Sequence, residues 1–384
     1  MPSPLETIVD TRRVIITVGA GGVGKTTTAA ALGVAAAQRG KRVLCMTIDP
    51  ARRLAESLGI ESMKTEAMEI DPARFAQAGA PLTGSLTVMM LDTKRTFDEL
   101  IIKYSSSPER AKRLLDNKLY QYVSTSLAGT QEYMAMEKLI AVKNDPRYDI
   151  VFLDTPPTTT ALDFLDAPER LVDALDSAAM KWFMDAFQST GKLSLNILAR
   201  SASVVLRAIS KITGGNFLQD VAQFITELND LFGGFKERAA RVQSTLRGPD
   251  VAFVLVSSPS PMSIKEVLYF SDRLEAHNMP RGALVVNRYR VPPPFAAEAP
   301  IPSSVAAAAV AMSGLKLDDD APERLARAHF DAVRLAALDT HNIRALEERL
   351  PDGVPVVKVP ELASDVHDVK LLSDLARTLL QGGI

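Results

Sequence analysis

The sequence has very little cysteine. Cys45 is the single cysteine among 384 residues. One cysteine excludes an intramolecular disulfide and a cysteine-rich metal cage, and it suits a reducing compartment. Because Cys45 falls within the apolar run 42–48, we interpret it as a small buried strand residue and not as a reactive thiol.

An excess of charge of either sign is also lacking. The chain has 44 lysine and arginine residues against 46 aspartate and glutamate residues. This balance gives no global electrostatic reason for binding nucleic acid or an anionic membrane. We therefore expect no nucleic-acid partner.

Long hydrophobic runs are absent from the sequence. No stretch of about eighteen apolar residues free of charge occurs, and the alanine-rich segment 305–312 is too short to cross a bilayer. The first residues, 1–6, show neither the basic nor the apolar region of a secretory signal. We expect a cytoplasmic protein without a transmembrane segment, whose membrane contact is only indirect.

The most specific pattern present is the segment 19–26, which fits the phosphate-binding pattern G-x-x-x-x-G-K-S/T. The β-branched run 14–18 before it is typical of a buried parallel strand. The alanine-rich segment 26–39 after it, ended by Gly40, is typical of a helix. A strand, a glycine loop and a helix N-terminus together direct backbone N–H groups at one point, which predicts a phosphate cradle.

The loop pattern also assigns roles to its residues. Lys25 would contact the β- and γ-phosphates, and the hydroxyl of Thr26 would bind Mg²⁺. An incidental glycine-rich turn is the alternative to this site for ATP and Mg²⁺. The predicted nucleotide-binding residues of the loop are Gly21, Gly22, Val23, Gly24, Lys25, Thr26 and Thr27.

Two carboxylates follow apolar runs that read as strands. Asp49 comes after the run 43–48, and Asp154 closes the run 148–154. Ligands bind at the carboxyl edge of open α/β sheets. We therefore predict that Asp154 completes the Mg²⁺ site through a water molecule, and that Asp49 is catalytic. The alternative for each is a cap on the helix that follows.

Apolar patterns along the rest of the chain alternate between strand and helix. This alternation predicts an α/β fold in which a mainly parallel sheet carries helices on both faces. The further predicted strands are 86–91, 251–256, 283–287 and 354–359, and the further predicted helices are 96–104, 108–122, 131–143, 263–277, 322–350 and 371–380.

Between residues 167 and 248 the strand signals disappear and helical patterning takes over. We predict a single domain, 1–384, with 167–248 as an all-helical insertion. Its methionine- and aromatic-rich apolar faces fit a surface that binds a hydrophobic client. Ordinary core packing explains the same pattern equally well.

Together these residues resemble the ArsA/Get-type ATPase family, which includes arsenite-pump ATPases and ATPases that target tail-anchored membrane proteins, within the MinD-like P-loop class. The resemblance rests on the phosphate loop, on 49–51 and 154–158, which are similar to the two switch segments, and on 284–287 and 359–362. It implies ATP hydrolysis by a nucleotide-switched dimer that handles hydrophobic clients. It further implies that Asp49 orients the attacking water, that Lys25 takes part in catalysis, that Asn287 reads adenine, and that Pro360 lies in the loop closing over the base.

The sequence departs from the family pattern at two points. Ala20 stands where family members usually carry a second lysine that reaches the partner's nucleotide. The late helical region has no C-x-x-C, so no shared zinc is inferred, and the lone Cys45 does not fit arsenite transport.

Three functions remain open from the sequence. The first is an ATP-switched homodimer that captures hydrophobic segments. The second is a nucleotide-binding subunit with weak hydrolysis of its own, in a heterodimer with a related ATPase that supplies the lysine missing at Ala20. The third is a MinD- or ParA-like positioning ATPase. The segment 371–384 argues against this function, because it carries Arg377 as its sole cation and so lacks a basic amphipathic helix.

Overall fold

A computed structural model describes most of the chain, and its contacts divide it into two units. The described residues are 2–48, 53–60, 63, 65–118, 120–121, 124, 130–156, 165–167, 173, 224, 237–293, 301–314, 318–351 and 353–383. The first unit comprises Met1–Met89, Arg147–Thr159 and Pro249–Ile384, and the second comprises Met90–Pro146 and Thr160–Gly248.

The first unit is built on a sheet in which eight strands are described. They are β1 (Val14–Gly19), β2 (Arg42–Thr47), β3 (Met68–Glu69), β4 (Ser85–Met90), β5 (Ile150–Asp154), β6 (Val251–Ser257), β7 (Arg281–Tyr289) and β8 (Val356–Pro360). Their order is β3-β4-β2-β5-β1-β6-β7-β8. The pairs from β2 through β8 in this order are parallel, and β3 is antiparallel to β4. The predicted mainly parallel α/β fold is confirmed.

The middle of the sheet consists of strands that are buried on both faces. Every residue of β1, β5 and β6 is buried, as their continuous β-branched and apolar sequences require. Thr17 of β1 pairs with Asp154, and Gly19 pairs with Val256 of β6. This register brings the carboxyl ends of three neighbouring strands to the same edge.

The helices of the first unit are α1 (Pro4–Thr11), α2 (Lys25–Gln38), α3 (Arg53–Ser57), α4 (Pro72–Gln77), α8 (Pro261–Ala276), α9 (Ser303–Ser313), α10 (Ala321–Glu347) and α11 (Val369–Leu380). Helix α2 is buried almost all round because its alanines let β2 and α11 approach closely. Helix α1, which the sequence analysis did not predict, begins with a capping box formed by Ser3 and Glu6. Among the described helices, none is long and apolar enough to cross a membrane.

The described helices of the second unit are α5 (Thr93–Tyr104), α6 (Pro108–Leu115) and α7 (Thr130–Lys143), and residues 237–246 are also helical. The prediction of one helix over 108–122 was wrong, because α6 ends at Leu115. There the Oδ1 of Asn117 accepts a hydrogen bond from the N–H of Tyr120 and caps a new turn. The predicted insertion, 167–248, lies outside the described residues except for 167, 173, 224 and 237–248.

Cys45 lies on β2 and is buried, as the sequence predicts. It is 2 % exposed, and a Cβ added at Gly33 of α2 would overlap its Sγ. Burial raises the pKa of the Cys45 thiol far above its usual range. The thiol is therefore a packing element between α2 and the sheet.

Candidate nucleotide site

The phosphate loop lies between the end of β1 and the start of α2. Gly24 occupies the N-cap position of α2 with φ +96°, and Gly22 has φ +77°. Both conformations lie in the left-handed region that glycine adopts without a Cβ penalty. Within the described chain no side-chain hydrogen bond caps α2, so the first N–H groups of this helix are directed at the loop. Such a helix N-terminus favours a bound anion.

Two glycines of the loop make room for neighbouring strands. A Cβ at Gly19 would overlap the carbonyl oxygen of Val256 in β6, and a Cβ at Gly24 would overlap the side-chain nitrogen of Asn287 in β7. The loop therefore packs directly against the ends of β6 and β7. Sequence spacing predicts the glycines, but the strands they contact are set by the order of the sheet.

Lys25 is folded back over the loop. Its Nζ donates a hydrogen bond of 2.9 Å to the carbonyl oxygen of Ala20, and the residue is 6 % exposed. Val23 is also buried, whereas Gly21, Gly22 and Thr27 keep access to solvent. This arrangement places an ammonium group and several backbone N–H groups around one small space. That combination of groups suits a polyphosphate.

Thr26, on the first turn of α2, is joined to Asp154 at the end of β5. The Oγ1 of Thr26 donates to the Oδ2 of Asp154 over 2.7 Å, and the hydroxyl of Thr47 donates to the same oxygen over 3.0 Å. Asp154 is 1 % exposed. Hydroxyl and carboxylate oxygens are the hard ligands that Mg²⁺ prefers, so this donor set fits the predicted cation.

Asp49 itself lies outside the described residues, and so does any helix after residue 156 that Asp154 would cap. The strand leading to Asp49 is described, and Thr47 pairs with Asp154 in register. The N–H of Ile48 donates to the carbonyl oxygen of Asp154 over 3.3 Å. Strand β2 thus ends beside the phosphate loop. The catalytic role of Asp49 stays a prediction.

A cavity of about 510 Å³ lies next to the loop on the side of β7 and β8. It is large enough for a small-molecule ligand. Asn287 donates a hydrogen bond of 2.9 Å from its Nδ2 to the carbonyl oxygen of Val23. The structure thus brings Asn287 and Pro360 together with the phosphate loop. The cavity is lined by Gly24, Thr27, Asn287, Arg288, Pro360, Glu361, Leu362, Ala363, Ser364, Asp365, Val366 and Leu375.

Sequence reasoning missed two residues of this site and the full length of one predicted segment. Thr47 is the polar residue near the end of an apolar strand, and that position was a usable signal for its contact with Asp154. Arg288 lines the cavity with φ +59°, a conformation that no local pattern predicts for arginine. The cavity wall extends to residue 366, beyond the predicted segment 359–362, because β8 pairs with β7.

The model of a family described as Anion-transporting ATPase matches residues 12–297, which include the phosphate loop, Asp154 and all of β7. The chain belongs to the anion-transporting ATPase family. The resemblance inferred from the motifs is confirmed by this match, and so is the assignment of the chain as an ATP-binding ATPase.

Several curated proteins are similar to the chain. A protein of Aquifex aeolicus named as an arsenical pump-driving ATPase is 27 % identical over 67 % of this chain, and the matched part covers 59 % of that relative's length. ATPase get3 of Aspergillus terreus is 26 % identical over 76 % of this chain and 78 % of its own length. ATPase GET3 of Phaeosphaeria nodorum is 25 % identical over 76 % of this chain and 82 % of its own length.

Proposed function

We propose that the protein hydrolyses ATP with Mg²⁺ and acts as a nucleotide-switched dimer that handles hydrophobic protein clients. One observation supports the nucleotide chemistry above all: the 2.7 Å contact between Thr26 and Asp154, at the N-terminus of the helix that Lys25 begins. Hydroxyl, carboxylate and ammonium groups converge at the carboxyl edge of the sheet. Phosphoryl transfer depends mainly on such positioning and charge stabilisation.

Each residue has a part in this proposal. Lys25 leaves the carbonyl oxygen of Ala20 and binds the β- and γ-phosphates. Thr26 and Asp154 would hold Mg²⁺, Thr26 with its hydroxyl and Asp154 through water. When bound, Mg²⁺ supplies charge neutralisation of the phosphate oxygens. Asp49 would orient the attacking water, an assignment that comes from the resemblance of 49–51 to a switch segment of the family and fits its place just after β2.

The base of ATP is placed in the cavity beside β7. Asn287 would turn its amide from Val23 to the adenine ring, and Pro360 would cover the ring. The support is that both residues line the same 510 Å³ space next to Gly24. Amide groups can donate to and accept from a base edge, which suits the selection of one base.

Ala20 favours a second candidate, a nucleotide-binding subunit of a heterodimer with weak hydrolysis of its own. Ala20 is 5 % exposed and packs in the apolar cluster that contains Val23. A cation near the transferred phosphoryl group contributes roughly 10³ to 10⁵ in rate in enzymes with an arginine finger. A homodimer of this chain has no lysine at position 20 to supply one.

We assign client binding to the insertion 167–248 because its sequence indicates a hydrophobic surface. Most of this insertion lies outside the described residues. The MinD- or ParA-like alternative needs a free membrane-binding or DNA-binding element. Helix α11 does not offer its apolar face for this purpose, because Val369, Leu372, Leu375 and Leu379 are buried in the first unit.

The test combines phosphate release with light scattering on the pure protein, with and without ATP and Mg²⁺. We expect Asp154→Asn to abolish Mg²⁺-dependent hydrolysis. Asp149→Asn is the matched control, since Asp149 precedes the other end of the same strand. A wild-type rate unchanged in Asp154→Asn would refute the proposed site.

The same assays distinguish the homodimer from the heterodimer subunit. Clear hydrolysis and an ATP-dependent dimer of the wild type support the homodimer, and Asp49→Asn should then remove the hydrolysis. ATP binding without turnover, together with a gain of turnover in Ala20→Lys, supports the heterodimer subunit. No ATP-dependent change in mass and no binding of a hydrophobic helical peptide would refute the client-handling switch.

A further inference from the structure

Strand β7 changes its pairing with β8 just where it reaches the nucleotide cavity. The register shifts between Val286 and Tyr289, and Arg288 within this stretch has φ +59°. Irregularities of this kind redirect the side chains that follow. The residue affected is Arg290, the first residue after β7. It lies between α10 and the wall of the cavity.

Arg290 is held first by a buried carboxylate of α10. Its backbone N–H donates to the Oδ2 of Asp339 over 3.0 Å, and its Nη1 lies 3.3 Å from the Oδ1. Asp339 is 5 % exposed. A buried carboxylate that accepts bonds from both the backbone and the guanidinium fixes its partner closely.

The same guanidinium reaches a second carboxylate, at the cavity. The Nε of Arg290 lies 3.2 Å from the Oε2 of Glu361. Glu361 follows Pro360, and its backbone N–H donates to the carbonyl oxygen of Tyr289 over 2.9 Å. Both Pro360 and Glu361 line the cavity assigned to the base.

We propose that Arg290 is a positioning residue for nucleotide binding, which fixes the 360–366 segment to α10 through the series Asp339, Arg290 and Glu361. The inference rests on the proposed function, because it takes the cavity beside Asn287 as the site of the base. Arg290 itself does not line this cavity. Arg290 fixes the position of the cavity wall that begins at Pro360.

The two ends of this series differ in what they stabilise. Arg290 and Glu361 keep 42 % and 47 % of their side chains exposed, so the ion pair between them contributes little to global stability. Asp339 is buried, so removal of the whole Arg290 side chain would leave a buried charge without its guanidinium partner. Glu361→Ala therefore breaks the connection without leaving an unpaired buried charge, whereas Arg290→Ala leaves one.

The test measures the ATP dissociation constant by calorimetry and the melting temperature without nucleotide. We expect Glu361→Ala to weaken ATP binding about twofold to fivefold, the range that the loss of a half-exposed ion pair accounts for. Its nucleotide-free melting temperature should stay at the wild-type value, and Glu361→Gln should recover part of the affinity. Arg324→Ala is the matched control, since Arg324 pairs with Asp318 over 2.7 Å at the exposed start of α10, the helix that carries Asp339.

Arg290→Lys completes the test, because lysine keeps the charge but cannot bridge two carboxylates in the same planar geometry. The double variant of Arg290→Lys and Glu361→Ala should bind ATP no more weakly than Glu361→Ala alone, because both changes break the same contact. Wild-type ATP affinity in Glu361→Ala, or losses that simply multiply in the double variant, would overturn the positioning role. Failure of the wild-type protein to bind ATP would instead overturn the proposed function.

Discussion

Asn287 and Val23 stand 264 residues apart in the chain and are joined by a hydrogen bond of 2.9 Å between the asparagine amide and the carbonyl oxygen of Val23. This bond ties β7 to the phosphate loop. It also explains why residue 24 is glycine, since a Cβ there would overlap the same amide nitrogen. The loop is therefore shaped by a distant strand as well as by its own sequence.

Gly24→Ala should damage the loop more than Gly22→Ala. Both positions have positive φ, but a Cβ at Gly22 would meet no atom within 4 Å. We expect Gly22→Ala to cost about 1 kcal/mol from backbone strain alone. Gly24→Ala should cost about 1 to 3 kcal/mol more, because the Asn287 side chain must also move. Urea unfolding measures both costs, and equal values would contradict the close packing.

Thr26→Ser and Thr26→Val should separate the hydroxyl group from the shape of the side chain. Serine keeps the oxygen that contacts Asp154, whereas valine removes it at nearly constant volume. We expect the serine variant to need the same Mg²⁺ concentration for phosphate release as the wild type. The valine variant should lose on the order of tenfold to a hundredfold in activity. An unchanged Mg²⁺ dependence in Thr26→Val would show that this hydroxyl does not serve the cation.

The pair of Asp149 and Arg42 should stabilise the protein above about pH 4 and cease to do so near pH 2. Hydrogen bonds from the Arg42 side chain and backbone N–H lower the pKa of Asp149 from 3.8 to about 2. Because the folded pKa lies below the unfolded value, the contribution is complete at neutral pH and is lost as pH falls through the interval between them.

Asp149→Asn tests this directly by thermal unfolding at several pH values. The melting temperature of the variant should be slightly lower than that of the wild type at pH 7, and the two should converge near pH 2. The difference should be small, since Asp149 and Arg42 keep 40 % and 51 % of their side chains exposed. A difference that grows as the pH falls would contradict the assignment.

The buried pair of Arg238 and Glu137 should be the most sensitive ionic contact described in the second unit. The two side chains lie 3.5 Å apart and are 7 % and 9 % exposed, and the Tyr133 hydroxyl also donates to Glu137. Arg238→Met should cost about 3 to 5 kcal/mol, since it leaves the Glu137 carboxylate buried without its cation.

The matched control is Lys138→Ala, on the same helix, because Lys138 pairs with the half-exposed Glu99 over 3.1 Å. That change should cost less than about 1 kcal/mol. Replacing both members of the buried pair, by Arg238→Met with Glu137→Leu, should restore much of the lost stability. Denaturant unfolding measures all three variants, and a cost for Arg238→Met as small as the control would refute the prediction.

Much of the fold follows from local pattern. The buried strands and the glycine loop depend on residues close to one another in the chain. Their type and their positions along the chain can therefore be predicted from spacing. The limits of helices are less accessible. Helix α6 ends at Leu115 through the side chain of Asn117, and the apolar spacing continues past that point. Helix α1 was missed because it is only eight residues long and is held by its cap and its packing.

The sequence by itself determined that Lys25 and Thr26 follow a phosphate loop and that Asp154 ends a buried strand, because these properties depend on neighbouring residues. The tertiary structure decided which of these groups meet. The sheet order places β5 and β6 on either side of β1, so Asp154 reaches Thr26 and Val256 crowds Gly19. The contacts of Asn287 with Val23, and of Arg290 with both Asp339 and Glu361, join segments far apart in the chain. No local pattern encodes such contacts, since they arise only when β7 and β8 pair and α10 packs beside them.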